Sequence, residues 1–264
     1  MRMNGVKYKS ILPAVMIGLV VASLMMNGFD TVSGMNQVEA AAASSSSSTF
    51  TAFLANNAPG RTLKYVNGVT TVTNLSSTVV LVNKKRNLPS HYVPQDLVIP
   101  QIPFSFSGPS PKKQMRKIAA TSLEKLFAAA KKDGIDLKAV SGYRSYATQK
   151  SIFERNASIK GEAAANKTSA RPGQSEHQTG LSMDISSASV GYDAGAESLE
   201  IPRKANGLKV NAPKYGFIIR YGKGQEKGTG YSYEPWHVRY VGVFIAGEIT
   251  RQNLTLEQYL EKKQ

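Results

Sequence analysis

From Lys113 onward, the apolar positions Met115, Ala119, Leu123, Leu126, Phe127 and Ala130 recur every three or four residues, the spacing that gives a helix one buried stripe. Lys131 and Lys132 suit the negative end of that helix, and Gly134 is placed to leave it in a left-handed turn. Leu137 to Val140 reads as a strand. Ser145 can cap a second helix running to about Lys160, with Ile152 and Phe153 facing inward. Residues 161–174, rich in Ala, Asn, Ser and Gly, read as a loop. Farther on, Met183 to Ser187, Phe217 to Tyr221 and His237 to Tyr240 read as strands, and Ala205 to Tyr215 and Val241 to Gln252 as helices. Helices mixed with short strands, without a repeated strand-helix alternation, predict an α+β fold: a small antiparallel sheet flanked by helices.

The first hundred residues are patterned differently. Arg2, Lys7 and Lys9 precede an apolar stretch from Ile11 to Met26, and small residues follow around Val38, Glu39 and Ala40, as in a secretory signal peptide. The alternative is an uncleaved membrane anchor, because the uncharged run from Ser10 to Phe29 approaches the roughly 20 residues that span a bilayer. Pro13, Gly18 and Asn27 weaken the anchor helix, and the long interval from Met26 to Ala40 weakens the cleavage reading. On either reading the remainder is extracytoplasmic, secreted or associated with the cell wall. Ala40 to Ser48, an Ala/Ser tract with nothing to bury, is a flexible tether or the ragged N-terminus left after cleavage. Thr51 to Thr78 is a polar leader, irregular or β-prone. After the β-branched run Val79 to Val82, Pro89, Pro94, Pro100 and Pro103 keep the chain extended to about residue 110, wrapped around the folded body. The expected organisation is therefore 1–40 signal or anchor, 41–78 linker and leader, 79–252 the main domain, and 253–264 a helical tail.

Composition narrows the chemistry. The 264 residues contain no cysteine, which excludes disulfides, thiolate metal sites and a cysteine nucleophile, so any metal must be held by His, Asp or Glu. The net charge of +15 is concentrated in residues 111–160, with 12 basic against 4 acidic residues, while residues 161–264 are nearly balanced at 13 against 11. A basic surface attracts polyanions. No zinc finger, RNP-like motif or arginine-rich helix points to nucleic acid, whereas an anionic cell-wall polymer fits the compartment. A solvated face that only confers solubility is the plain alternative.

Two of the three histidines stand beside carboxylates: His177 with Asp184 seven residues later, and His237 with Glu234 three residues earlier. His177, Asp184 and His237 are three donors of the kind a catalytic zinc requires when a fourth position is kept for water. Glu234 could then act as the base on that water. Either half alone is a weak pattern that a structural histidine also satisfies.

Further motifs give the pattern a family. Ser141-Gly142-Tyr143-Arg144-Ser145, then Ser175-x-His177-x-x-Gly180-x-x-x-Asp184, then Glu234-Pro235-Trp236-His237-x-Arg239-Tyr240-Val241-Gly242 resemble, in order, the motifs of the VanY-like D-alanyl-D-alanine carboxypeptidases. These are zinc peptidases of bacterial peptidoglycan, grouped with lysostaphin-type and hedgehog-like enzymes. Leu81 to Lys84 with Leu88-Pro89, Tyr92, Pro94 and Leu97-Val98 resembles the family's wrapping segment, so the likeness runs from about residue 80 to 245. It implies Zn2+ as cofactor with His177, Asp184 and His237 as ligands, and Glu234 as catalytic base. It also implies Arg144 as a guanidinium facing the substrate or its oxyanion, Gln149 and Ser175 as polar contacts to the peptide, and Gly180 as the turn between the first two ligands. The sequence departs from the pattern at Leu208-Lys209-Val210, where a Trp-Leu pair is usual, which bears on substrate preference.

The implied activity is removal of the terminal D-alanine from peptidoglycan stem peptides. An L,D-carboxypeptidase or an endopeptidase on the same peptides would use the same ligands. A wall-binding module keeping zinc only for stability is the non-catalytic rival, against which a free Glu234 argues. A membrane is a partner only if the N-terminal segment stays uncleaved. The remaining candidates are weaker. His91 lies in the wrap without a second donor, and Trp236 reads as core, beside a ligand. Ser122-Leu123-Glu124-Lys125 matches a serine-type penicillin-binding motif, but it sits inside the helical stripe, and Lys167-Thr168-Ser169 is isolated.

Overall fold

The computed structural model describes residues 48–187 and 210–262. The signal or anchor, most of the tether and residues 205–209 of the expected third helix lie outside the described residues. Among those described, no helix is long and apolar enough to cross a membrane.

The leader is more ordered than its polarity suggested. Residues 48–56 form a helix, α1, held by Leu54, which packs with Ile245, Leu256 and Leu260. A 3-10 turn at Pro59–Arg61 leads into the hairpin of β1 (Leu63–Val66) and β2 (Val69–Val72). Asn67 and Gly68 at its tip have φ of 48° and 80°, the two left-handed residues that a two-residue hairpin turn needs. Val79 to Val82 is buried but pairs with no strand among the described residues. Its carbonyls are taken by arginines instead, Arg86 Nε on Leu81 and Arg239 on Val80.

The proline-rich segment wraps as expected. Within it β3 (Leu97–Val98) pairs antiparallel with β4 (Met115–Arg116), and Gln178 Nε2 donates to the carbonyls of Pro89 and Tyr92. This pairing corrects the start of the first predicted helix: Met115 lies on β4, and α2 spans Lys117–Lys132. The rest of the stripe holds, with Ala119, Leu123, Leu126, Phe127 and Ala130 buried, and the chain leaves past Asp133 into Gly134 at φ 72°. β5 (Leu137–Ser141) and α3 (Tyr146–Lys160) follow, and the Ser145 hydroxyl accepts from the Thr148 amide at 3.1 Å. The expected loop 161–174 contains a short helix, α4 (Glu162–Thr168), set off by Gly161 and seated by the buried Ala165.

The remaining elements are β6 (Ser182–Ser187), β7 (Phe217–Tyr221), α5 (Glu226–Thr229), β8 (Glu234–Tyr240), α6 (Val243–Arg251) and α7 (Leu256–Lys262). Where a helix was expected before β7, the described part is helical at residues 210–211 and tightens into a 3-10 turn at Ala212–Tyr215. β5, β6, β8 and β7 form, in that order, one antiparallel sheet. The fold is thus α+β. The compact body extends from Ser48, ahead of the boundary drawn at residue 79, and includes α7, whose Leu256, Tyr259 and Leu260 are buried with Ile218 and Ile249.

Period-two alternation sorts the sheet into two faces. Met183, Ile185, Val238, Tyr240 and Phe217 point into the main core with Leu123, Leu126 and Phe127 of α2. The other face carries Ser182, Asp184, His237 and Arg239, and the register sets Asp184 opposite His237 and Ser182 opposite Arg239. A register shift between Ile219 and Tyr221 lets the consecutive Arg220 and Tyr221 both reach this polar face.

Candidate active site

Three elements meet over the polar face. β6 supplies Asp184, the facing β8 supplies His237, and the 3-10 turn Glu176–Thr179 brings in His177. The turn closes on Gly180 at φ 67°, a left-handed conformation that strains any residue with a Cβ, which favours glycine there. One donor atom from each of His177, Asp184 and His237 lies within 4.8 Å of the others, and all three residues are buried. His177 Nε2 is 3.3 Å from Asp184 Oδ2, and His237 Nδ1 is 3.2 Å from Asp184 Oδ1. The other nitrogen of His177, Nδ1, is occupied by the Gly142 carbonyl at 2.8 Å, which directs Nε2 inward. Asp184 Oδ1 is buried and accepts no hydrogen bond. Two imidazoles and a carboxylate converging on one point, with a buried carboxylate oxygen left without a donor, fit a divalent zinc-type cation.

Glu234, at the start of β8, reaches the cluster from the cleft side, with Oε2 3.8 Å from His237 Nδ1. Arg144 reaches it from the end of β5, NH2 standing 4.0 Å from Asp184 Oδ2. A cleft of about 340 Å³ opens over these groups, walled by Ser175, Tyr221, Tyr231, Tyr233 and Trp236. Trp236 is half-buried on this wall, which corrects its reading as a core residue.

The charges divide along this geometry. Burial favours neutral Asp184, but contact with His177 and His237 outweighs it and holds the carboxyl far below the usual carboxylate range. His177 is lowered by burial, with Asp184 opposing. Burial would also lower His237, yet its contacts with Asp184 and Glu176 raise it to about 9. Burial pushes Glu234 up to about 7 against the pull of His237, which suits a group that exchanges a proton near neutrality.

The other expected site residues are placed less uniformly. Ser175 borders the cleft beside His177. Gln149 does not: it is 1% exposed, its Oε1 accepts from Arg144 NH1 at 2.8 Å and its Nε2 donates to the Ala170 carbonyl at 2.6 Å. Its amide is spent holding Arg144, whose NH2 also donates to Ser141 Oγ at 3.1 Å while Nε has no partner. His91 is exposed in the wrap, and Ser122 and Lys125 lie on α2, away from these residues in the sheet. Sequence reading missed Glu176, fully enclosed next to His237, and the guanidiniums of Arg220 and Arg239 that contact it. A signal was present: each arginine interrupts an otherwise apolar or aromatic strand, Phe-Ile-Ile-Arg-Tyr and Trp-His-Val-Arg-Tyr.

The sequence profile of VanY, D-alanyl-D-alanine carboxypeptidase, matches residues 112–243, half of the chain and all of the clustered residues. The chain belongs to the VanY family. Its similarity to individual relatives extends further. It is 50% identical over 200 residues to the putative carboxypeptidase YodJ of Bacillus subtilis (strain 168), covering 76% of this chain and 73% of YodJ. The solved structure of the LD-carboxypeptidase LdcB, described for its peptidoglycan recognition, superposes with a TM-score of 0.73 at 50% identity, over 76% of this chain and 93% of LdcB. A D,D-pentapeptidase VanY of a VanB-type resistance cassette, a mutant in complex with Zn(II), gives a TM-score of 0.56 at 33% identity, over 69% of this chain and 98% of that one. This VanY-family chain is therefore similar to carboxypeptidases of both D,D and L,D types.

Proposed function

We propose that the protein is a zinc-dependent carboxypeptidase that removes the terminal D-alanine from peptidoglycan stem peptides outside the cytoplasm. The observation that carries this reading is the buried His177, Asp184 and His237 cluster opening, beside Glu234 and Arg144, onto a cleft of peptide size. His177 Nε2, Asp184 and His237 Nδ1 would hold the metal. Zinc bound there would supply Lewis acidity to the scissile carbonyl and to water.

The chain's own groups do the rest. Arg144 has an unpartnered Nε and two other nitrogens anchored by Gln149 and Ser141, so the guanidinium is fixed before substrate arrives and can receive a developing oxyanion or a terminal carboxylate. Glu234, a carboxylate at the cleft side of the cluster with Oε2 3.8 Å from His237 Nδ1, takes a proton from the attacking water and passes it to the departing amine. Tyr221, Tyr231 and Trp236 form a wall that excludes bulk water from the reacting bond.

The N-terminal segment, as signal or anchor, would deliver the domain to the wall. Exposed lysines such as Lys125, Lys131 and Lys132 on α2 give it affinity for anionic wall polymer. The resemblance read from the motifs put D,D cleavage first. The likeness to LdcB, stronger in both identity and superposition than that to the D,D-pentapeptidase, favours L,D cleavage of a tetrapeptide as the second reading. Digestion of purified penta- and tetrapeptide muropeptides by the zinc-loaded protein, followed by mass analysis, decides between them. D-alanine release from one or the other supports the function, and release from neither contradicts it.

A further inference from the structure

Next to His237 the polar face of the sheet holds two carboxylates and two arginines that no step above uses. Glu176 accepts Arg220 Nε at 2.8 Å and Arg239 NH1 at 2.5 Å on the same oxygen, Oε1. Its other oxygen, Oε2, accepts from Ser182 Oγ at 3.3 Å and faces His237 Nε2 at 3.5 Å. That Nε2 is buried and makes no hydrogen bond of its own. Both arginines are committed elsewhere too. Arg220 grips Glu257 of α7 through NH1 at 2.9 Å and NH2 at 2.6 Å, and Arg239 donates to the carbonyls of Thr78, Val80 and Tyr240.

From this arrangement we infer that Glu176 is the positioning residue for His237: clamped through Oε1 by Arg220 and Arg239, it presents Oε2 to the ring and fixes which nitrogen faces the metal. The inference rests on the reading of His237 as a ligand. An ionised carboxylate accepts and cannot donate, so the nitrogen facing it carries the proton and the lone pair is left on Nδ1, the atom beside Asp184. The clamp stops Glu176 from turning, because rotation would strip a buried guanidinium of its counter-charge. His177 is fixed in the opposite sense by a neutral carbonyl, Gly142, on Nδ1. The two ligand rings are thus held in opposite tautomers, one by a charged clamp and one by the backbone. The clamp reaches α7 through Glu257, beyond residue 243 where the family match ends.

The test uses the full-length, zinc-loaded protein and its Glu176→Gln variant. Chelator competition measures zinc affinity, proton-nitrogen correlation spectra of the histidine rings report the tautomers, and melting of the zinc-free forms reports the fold separately. In the wild type, His237 carries its proton on Nε2. In Glu176→Gln that signal shifts or disappears and zinc binds about 10–100-fold more weakly, the loss typical of removing a group that orients a ligand. Unchanged zinc affinity and histidine signals in a folded variant overturn the proposal, as does a wild-type His237 protonated on Nδ1, which decides the matter even where the variant fails to fold. Wild type that takes up no zinc at all defeats the reading of the metal centre itself.

Discussion

Replacing Glu257 by Gln tests whether the C-terminal helix is tied to the sheet by charge. Arg220 and Glu257 have side chains 0% and 9% exposed, joined by two hydrogen bonds of 2.9 and 2.6 Å, and Asn83 adds a third to Glu257 at 3.1 Å. Removing one partner of a buried pair costs about 3–5 kcal/mol. Gln keeps one acceptor oxygen and Arg220 keeps Glu176, so the lower end, about 3 kcal/mol, is expected here. At about 2–4 °C per kcal/mol for a body of this size, the melting temperature falls by about 6–12 °C. Burial favours the neutral Glu257 carboxyl, but Arg220 outweighs burial and holds it below its ordinary value. A carboxyl depressed on folding contributes stability that is fully present above its unfolded pKa, about 4.3, and is lost as pH falls through the folded value. Thermal unfolding across pH should therefore show a constant gap between wild type and variant above about pH 5 that narrows on acidification. A shift under about 2 °C at neutral pH, or a gap that does not narrow, refutes the reasoning.

Two further substitutions probe the site. Arg144→Lys keeps the charge but loses the planar fork that Gln149 and Ser141 hold, so kcat should fall about 100-fold with zinc content unchanged; steady-state kinetics with metal analysis check it. Gly142→Ala places a Cβ 2.4 Å from the Gln114 carbonyl oxygen, forcing the backbone whose own carbonyl orients His177 to move. Zinc affinity, measured by chelator competition, should drop about 10–100-fold along with a lower melting temperature.

The His177, Asp184 and His237 cluster and the carboxyl of Glu234 beside it were legible in the sequence because each motif is local: His177 and Asp184 flank one turn, and Glu234 and His237 open one strand. The buried face of α2 followed from periodicity for the same reason. What the sequence did not show is held by long-range contacts. Glu176, Arg220, Arg239 and Glu257 are far apart in the chain and meet only where the turn at Glu176 and the helix α7 pack against β7 and β8. α4 is short and stands on a single buried residue, Ala165, too little to make a stripe, whereas α1 does carry a short stripe, Phe50, Phe53 and Leu54, that the polar leader around it obscured. Gln149 lies in a helix facing the site, and only the Ala170 carbonyl and Arg144 show that its amide is already taken.

The central claim is that the cluster is a catalytic metal centre with Glu234 as its base. Its most direct test is D-alanine release from muropeptides by zinc-loaded wild type and Glu234→Gln, with bound zinc measured in both. Bound zinc should be equal in the two, and kcat should fall about 100-fold or more in the variant, the scale of a general acid-base contribution. Equal turnover at equal zinc would contradict it.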